Sequence, residues 1–78
     1  MALVRVFKEK SCADRWSAHD EIEASYFVGE RDGRLLLQID THGRATRQHP
    51  DKVSQSIQLD RVGAEKLHAV LKKTFGFV

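Results

Sequence analysis

Five side chains in this sequence carry the thiol or imidazole groups that bind zinc. Zinc sites join such ligands in close pairs, such as Cys-x-x-Cys or His-x-x-x-His. No two of the five stand at those spacings, so the pattern predicts no metal site and ordinary surface or half-buried histidines. The five side chains are Cys12, His19, His42, His49 and His68.

Catalytic patterns are also missing from the sequence. Asp14, Asp20, Glu21 and Glu23 form a local acidic cluster, and paired carboxylates can share acid–base work. The cluster falls in and just after an irregular stretch, however, which favours a solvated acidic patch. Cys12 would act as a nucleophile only with a base beside it in space. The five glycines form no Gly-x-Gly-x-x-Gly or phosphate loop. We therefore predict no catalytic site and no cofactor.

The strongest binding signal is a basic stretch in residues 42–52. Arg44, Arg47 and Lys52 place three cations within nine positions, against Asp51 alone. Arginine contacts phosphate through a planar fork of donors. Gln48 adds a neutral donor beside them. This composition is typical of a loop that contacts an anionic partner, although a charged loop can also be simply solvated.

Aromatic and polar residues of the predicted strands supply the second ingredient of a binding surface. Proteins that bind single-stranded nucleic acid combine a cationic rim with aromatic rings on which bases stack. Phe27 in a strand and Trp16 in the preceding loop are the candidate rings, and Arg5 is a further candidate cation. The side chains expected on or near the sheet face away from the helix are Arg5, Phe7, Phe27, Gln38, Ser54, Ser56 and Gln58.

These residues favour a non-catalytic module that binds single-stranded DNA or RNA. The predicted nucleic-acid contacts are Arg44, Arg47, Lys52, Gln48, Trp16, Phe27 and Arg5. The net charge of +2 permits an anionic partner without demanding one. Two alternatives stay open. The chain could be a protein-interaction module, such as an accessory subunit, regulator or inhibitor, or a small enzyme whose site leaves no motif.

Four strands and a helix must position these side chains. Alternating apolar residues predict strands over residues 3–8, 22–30, 34–41 and 53–59. A helical apolar stripe then predicts a helix over residues 61–75, with Leu67 and Leu71 buried.

Local signals set the boundaries of these elements. Asp32-Gly33 predicts a tight turn at residues 31–34, because a type I′ turn needs positive φ at both central residues. Asp60 is a good N-cap for the helix, and Gly76 is well placed to end it.

The expected fold is α+β: a four-stranded antiparallel sheet followed by one C-terminal helix (ββββα), in a single domain spanning residues 1–78. An apolar content of 41% and a charged content of 31% are ordinary for a globular protein. No apolar run is long enough to span a membrane. The N-terminus does not read as a signal peptide, and a single Cys excludes an intrachain disulfide. Both features favour the cytoplasm.

Residues 38–75 resemble the single-stranded-DNA-binding family of the transcriptional coactivator PC4 and its bacterial and phage relatives. The resemblance rests on Ile39-Asp40, Pro50-Asp51-Lys52, Ser56-Ile57-Gln58-Leu59 and the helix from Arg61. Where the family has a Gly-Ile pair, Ser56 precedes Ile57 here. The resemblance implies a homodimer whose curved sheet grips single strands, and a role in transcription regulation. Residues 36–59 also resemble small bacterial proteins of no assigned function.

Overall fold

The computed structural model describes residues 1–43 and 53–78 of the chain. The elements are β1 Ala2–Leu3, β2 Ala24–Arg31, β3 Arg34–His42, β4 Val53–Leu59 and α1 Arg61–Phe75. The four strands form one sheet in the order β1-β4-β3-β2. The predicted α+β fold, four strands followed by one C-terminal helix, is confirmed.

The sheet is mixed rather than purely antiparallel, and this corrects the prediction for the first strand. β1 pairs in parallel with β4, with Ala2 opposite Ile57 and Leu3 opposite Gln58. The strand predicted over residues 3–8 is wrong beyond Leu3. The backbone N–H of Val4 still donates to the Gln58 carbonyl at 2.9 Å, but the chain then leaves the sheet. Residues 7–9 lie against α1 instead, where a shallow groove is shared by the helix and this segment.

β2 and β3 form the predicted hairpin. Ala24 lies opposite Thr41, and the pairing continues without a shift to Arg31 opposite Arg34. Asp32 has φ 53° and Gly33 has φ 78°, so both central residues have the positive φ of a type I′ turn. The predicted tight turn is confirmed.

Gly33→Val should destabilise the protein by about 1–3 kcal/mol, because a β-branched residue tolerates positive φ poorly. Gly29→Val is the matched control, since Gly29 lies in β2 at ordinary φ and a Cβ there meets no atom within 4 Å. Urea denaturation of both variants gives the comparison. Equal free energies of unfolding would contradict the turn.

The pairing registers assign the strand residues to two faces. We call one the apolar face; its residues are Tyr26, Val28, Leu35, Leu37, Ile39, Ile57 and Leu59. We call the other the polar face; its residues are Ser25, Phe27, Leu36, Gln38, Asp40, Ser56 and Gln58. The alternation predicted for β2, β3 and β4 agrees with these registers from Gln55 onward. A register shift between Thr41 and His42 pairs Val53 with His42 and leaves Ser54, expected on the polar face, outside the regular pairing.

α1 spans the predicted residues and has the predicted ends. The side chain of Asp60 accepts a hydrogen bond from the Gly63 N–H, and Gly76 ends the helix at φ 72°. The helix starts beside the apolar face, where Gly63 is buried between Val4 and Leu59. Of the four strands, only β4 packs substantially against α1. Leu67 and Leu71 are consequently half-buried rather than buried.

Candidate nucleic-acid interface

A chain of hydrogen bonds crosses the polar face from β4 to β3. The Ser56 hydroxyl donates to Asp40 at 2.6 Å, and the Gln38 amide donates to the same oxygen at 2.9 Å. The Gln58 amide then donates to the Gln38 carbonyl oxygen at 2.9 Å. An ionised carboxylate can only accept hydrogen bonds. Asp40 therefore determines which group donates and which accepts in each hydrogen bond of this series. The four side chains are therefore held in one orientation before any ligand arrives.

Asp40 stays ionised in this setting. The hydrogen bond from Ser56 lowers the pKa of the Asp40 carboxyl below its ordinary value, and the bond from Gln38 and the nearby His42 act in the same direction. A negative charge at this position repels phosphate. The centre of the polar face is consequently suited to neutral hydrogen-bonding groups, such as the edges of bases.

Phe27 stands in the same cross-strand row as the two glutamines. It lies opposite Gln38, which in turn lies opposite Gln58. Phe27 is 54% exposed, and its neighbours in the row are the two glutamine amides. An aromatic ring presented beside oriented amides offers a stacking surface and a hydrogen-bonding surface at the same place.

Arginine side chains lie at one end of the polar face, around Asp60. Arg5 Nε contacts the Asp60 carboxylate at 2.8 Å, and Arg34 contacts it at 3.3 Å. The other Asp60 oxygen accepts from the Gly63 N–H at 3.0 Å. Both arginine side chains remain about half exposed. Asp60 therefore carries one negative charge against the two arginines that it contacts.

The same carboxylate makes stability depend on pH. The Gly63 N–H is the largest influence that lowers the pKa of Asp60 below its ordinary 3.8, and the charges of Arg5 and Arg34 lower it further. A lowered folded-state pKa means that ionised Asp60 stabilises the fold above pH 3.8. This contribution is lost as the pH falls through the folded-state pKa.

Asp60→Asn should therefore reduce the decrease in melting temperature that the protein shows as the pH falls. Asparagine keeps a capping oxygen but has no charge to titrate. Thermal melts of the wild type and the variant at pH values from neutral to below 3.8 test this. The melting temperatures should differ most at neutral pH and converge in acid. Parallel profiles would mean that the Asp60 charge does not support the helix start.

The opposite end of the polar face leads into the basic stretch of the sequence. The Ser25 hydroxyl and His42 Nε2 lie 2.8 Å apart there, joining β2 to the end of β3. The predicted contacts Arg44, Arg47, Gln48 and Lys52 lie outside the described residues. By connectivity they follow His42 and precede Val53.

The other aromatic side chains considered above, Phe7 and Trp16, lie outside the strands that form the polar face. Phe7, expected on or near it, lines the groove against Val70 and Thr74 of α1, because the chain leaves the sheet after Leu3. Trp16 lies in the connection between β1 and β2 with 67% of its side chain exposed. The described residues show no contact that holds it near Phe27.

Neither a metal cluster nor a membrane span is found in the described part of the chain. Residues 1–43 and 53–78 contain no group of three or more His, Cys, Asp or Glu side chains arranged to hold a metal ion. Within the same residues, no helix is long and apolar enough to cross a membrane.

Comparisons with protein-family models, with curated proteins and with solved structures give no match to this chain. The function is therefore inferred from the geometry of the polar face.

Proposed function

We propose that the protein is a cytoplasmic, dimeric module that binds single-stranded nucleic acid on its polar face. The observation that carries the proposal is Phe27, an exposed ring in the same row as the oriented amides of Gln38 and Gln58. An unpaired base can stack on this ring while its edge reaches an amide. A base inside a duplex is already stacked and paired, so the same surface suits single strands.

The charges suggest how a strand would lie. Asp40 keeps phosphates away from the centre of the face, whereas Arg5 and Arg34 attract them at one end. In the sequence, Arg44, Arg47 and Lys52 follow His42, and His42 lies at the other end of the face. Bases would therefore occupy the centre and phosphates the two ends. Phosphate contacts set the position of a strand, and base contacts can add a preference for particular base sequences.

A fluorescence anisotropy titration tests the proposal. A labelled single strand of about 20 nucleotides is titrated at about 50 mM and about 200 mM salt. We expect binding that weakens with salt, with a log–log slope of about −0.7 for each phosphate contact. A duplex of the same sequence should bind more weakly. Failure to bind the single strand even at low salt would refute the proposal.

The same titration can test whether the basic residues of the 42–52 stretch contact phosphates. Replacing both Arg44 and Arg47 by alanine should make the slope shallower by about 1.4, the equivalent of two contacts. Affinity should fall for every sequence tested, because phosphate contacts carry no base information. Replacing Lys10 and Lys66, two exposed lysines outside the polar face, is the charge-matched control. An equal change in slope for both pairs would mean that only the net charge matters.

A protein-interaction module is the second candidate function. The observation in its favour is the apolar face, which carries exposed Tyr26, Val28 and Leu35. Among the described residues β2 pairs with β3 alone, so its other side lies at the edge of the sheet, where another strand could pair with it. This candidate predicts a binding partner that contacts the apolar face and no salt-dependent binding of single strands.

A further inference from the structure

We propose that the Asp40 carboxylate selects guanine among the bases of a bound single strand. The inference rests on the proposed function and adds a base preference to it. One oxygen of Asp40 accepts hydrogen bonds from the two N–H groups on the Watson–Crick edge of guanine, while the base stacks on Phe27.

One oxygen of the Asp40 carboxylate is left for a ligand. The Ser56 hydroxyl and the Gln38 amide both donate to Oδ1, at 2.6 Å and 2.9 Å. No hydrogen bond reaches Oδ2 from residues 1–43 or 53–78. Each oxygen of an ionised carboxylate has about two sites for hydrogen bonds. Oδ1 is therefore fully used, whereas Oδ2 can accept two further donors.

Short side chains stand on both sides of this carboxylate. Asp40 lies opposite Ser25 of β2 and opposite Ser56 of β4. Asp40 itself is half-buried, and Ser25 is exposed. Neither serine is long enough to cover the carboxylate, so a base that lies on the polar face can reach it.

Guanine is the base whose Watson–Crick edge suits a carboxylate. Its N1–H and N2–H groups lie side by side, so both can donate to one oxygen. Cytosine and adenine each offer an amino group there, but the ring nitrogen beside it carries a lone pair that the carboxylate repels. Thymine and uracil have a carbonyl oxygen on each side of their single N–H group. A fixed negative charge thus attracts guanine and disfavours the other bases.

Gln38 supplies the donor that the rest of this edge requires. An amide nitrogen has two N–H groups. One of them donates to Asp40, and the described residues accept nothing from the other. This second N–H lies beside the carboxylate and can donate to O6 of guanine, the atom next to N1–H. The Gln58 amide donates to the Gln38 carbonyl at 2.9 Å, so turning the Gln38 amide over would break two hydrogen bonds.

Phe27 is placed to hold the base over these two groups. It lies opposite Gln38, so Asp40, two residues further along β3, is its diagonal neighbour. Diagonal neighbours in an antiparallel pair are about 7–8 Å apart, within reach of an aromatic ring and a purine stacked on it. The bond from Ser56 lowers the pKa of the Asp40 carboxyl, so the acceptor is ionised at neutral pH.

Fluorescence anisotropy with the wild type gives the first result. The probes are labelled thymine strands of about 20 nucleotides with isolated guanines, or with adenine, cytosine or inosine at the same positions. We expect the guanine strand to bind at least about 5-fold more tightly than the adenine and cytosine strands. Inosine keeps N1–H and O6 but lacks the N2 amino group, so its strand should bind about 2- to 10-fold more weakly than the guanine strand.

The same titrations separate this proposal from the proposed function. If all four strands bind with equal affinity, or if cytosine or adenine is preferred, the guanine proposal is overturned and single-strand binding stands. Equal binding of the guanine and inosine strands also overturns it, because recognition through two donors requires N2–H. If no strand binds, both proposals fail.

Asp40→Asn tests which residue reads the base, with Asp32→Asn as the matched control. Both changes remove one negative charge, and Asp32 lies in the β2–β3 turn at φ 53°, where asparagine is well tolerated. Asp40→Asn should bind the guanine and adenine strands almost equally, and the adenine strand no more weakly than the wild type does, because a repelling charge is gone. Asp32→Asn should keep the guanine preference.

A purely structural Asp40 would give a different result. Its replacement would then weaken binding to every strand by the same factor and leave the guanine preference in place, which overturns the proposal. Melting temperatures show whether the variants are folded. Should Asp40→Asn not fold, Gln38→Met removes the donor to O6 and should reduce the guanine preference about 2- to 10-fold. An unchanged preference in Gln38→Met would count equally against the proposal.

Discussion

Phe27→Ala is expected to bind single strands about 5- to 150-fold more weakly than the wild type. This range corresponds to about 1–3 kcal/mol, the usual contribution of one base stacked on an aromatic ring. The ring carries no charge, so the slope of log affinity against log salt should stay unchanged. Titrating the variant at the two salt concentrations separates loss of stacking from loss of phosphate contacts.

Trp16→Ala is the comparison for this experiment. Trp16 is exposed and lies in the connection between β1 and β2, and it does not belong to the cross-strand row that contains Phe27. Its removal should leave the affinity near that of the wild type. If Trp16→Ala loses affinity and Phe27→Ala does not, the binding surface is centred on the β1–β2 connection, and the polar face is not the site.

Gly63→Ala should destabilise the protein by about 1–3 kcal/mol. A Cβ at this position would collide with the carbonyl oxygen of Val4 and approach Leu59 Cδ2 to 3.3 Å. Alanine in place of glycine favours a helix by about 1 kcal/mol, which opposes the effect. The collision is with backbone, however, so relief requires the N-terminal segment to move. Overpacking of this kind costs about 1–3 kcal/mol, and the displaced hydrogen bond from Val4 to Gln58 adds about 1 kcal/mol.

Lys66→Ala, in the same helix, is the control for this prediction. Lys66 is exposed, and surface changes of this kind alter stability by about 0.5 kcal/mol or less. Urea denaturation of both variants gives the difference. A Gly63→Ala protein as stable as the wild type would show that Val4 does not cross the helix at that point.

The elements that the sequence predicted well depend on local chemistry. Asp32 and Gly33 specify their turn through their own φ angles. Asp60 and Gly76 act within four residues of the helix ends that they define. The alternation in β3 and β4 identified the residues of both faces, including Gln38 and Gln58.

The errors and omissions concern contacts between distant residues. Residues 3–8 have strand propensity, but only Ala2 and Leu3 pair with β4, and they do so in parallel. No local pattern reveals that direction. The contacts of Asp60 with Arg5 and Arg34 were not expected, because they join three separate parts of the chain. Gly63 did carry a usable signal: a glycine inside a helix is unfavourable, and close approach of another backbone is a common reason for it.

The placement of β1 has a consequence for the order of folding. The β2–β3 hairpin joins neighbouring residues, and hairpins form within about 1–10 µs. β1 must instead find partners more than fifty positions away, as the pairing of Ala2 with Ile57 shows, and closing so long a loop is entropically costly. A two-residue strand at the sheet edge should therefore dock last and detach first. Native-state hydrogen exchange would register this as early exchange of the Val4 amide, while the amides of the central strand β3 remain protected.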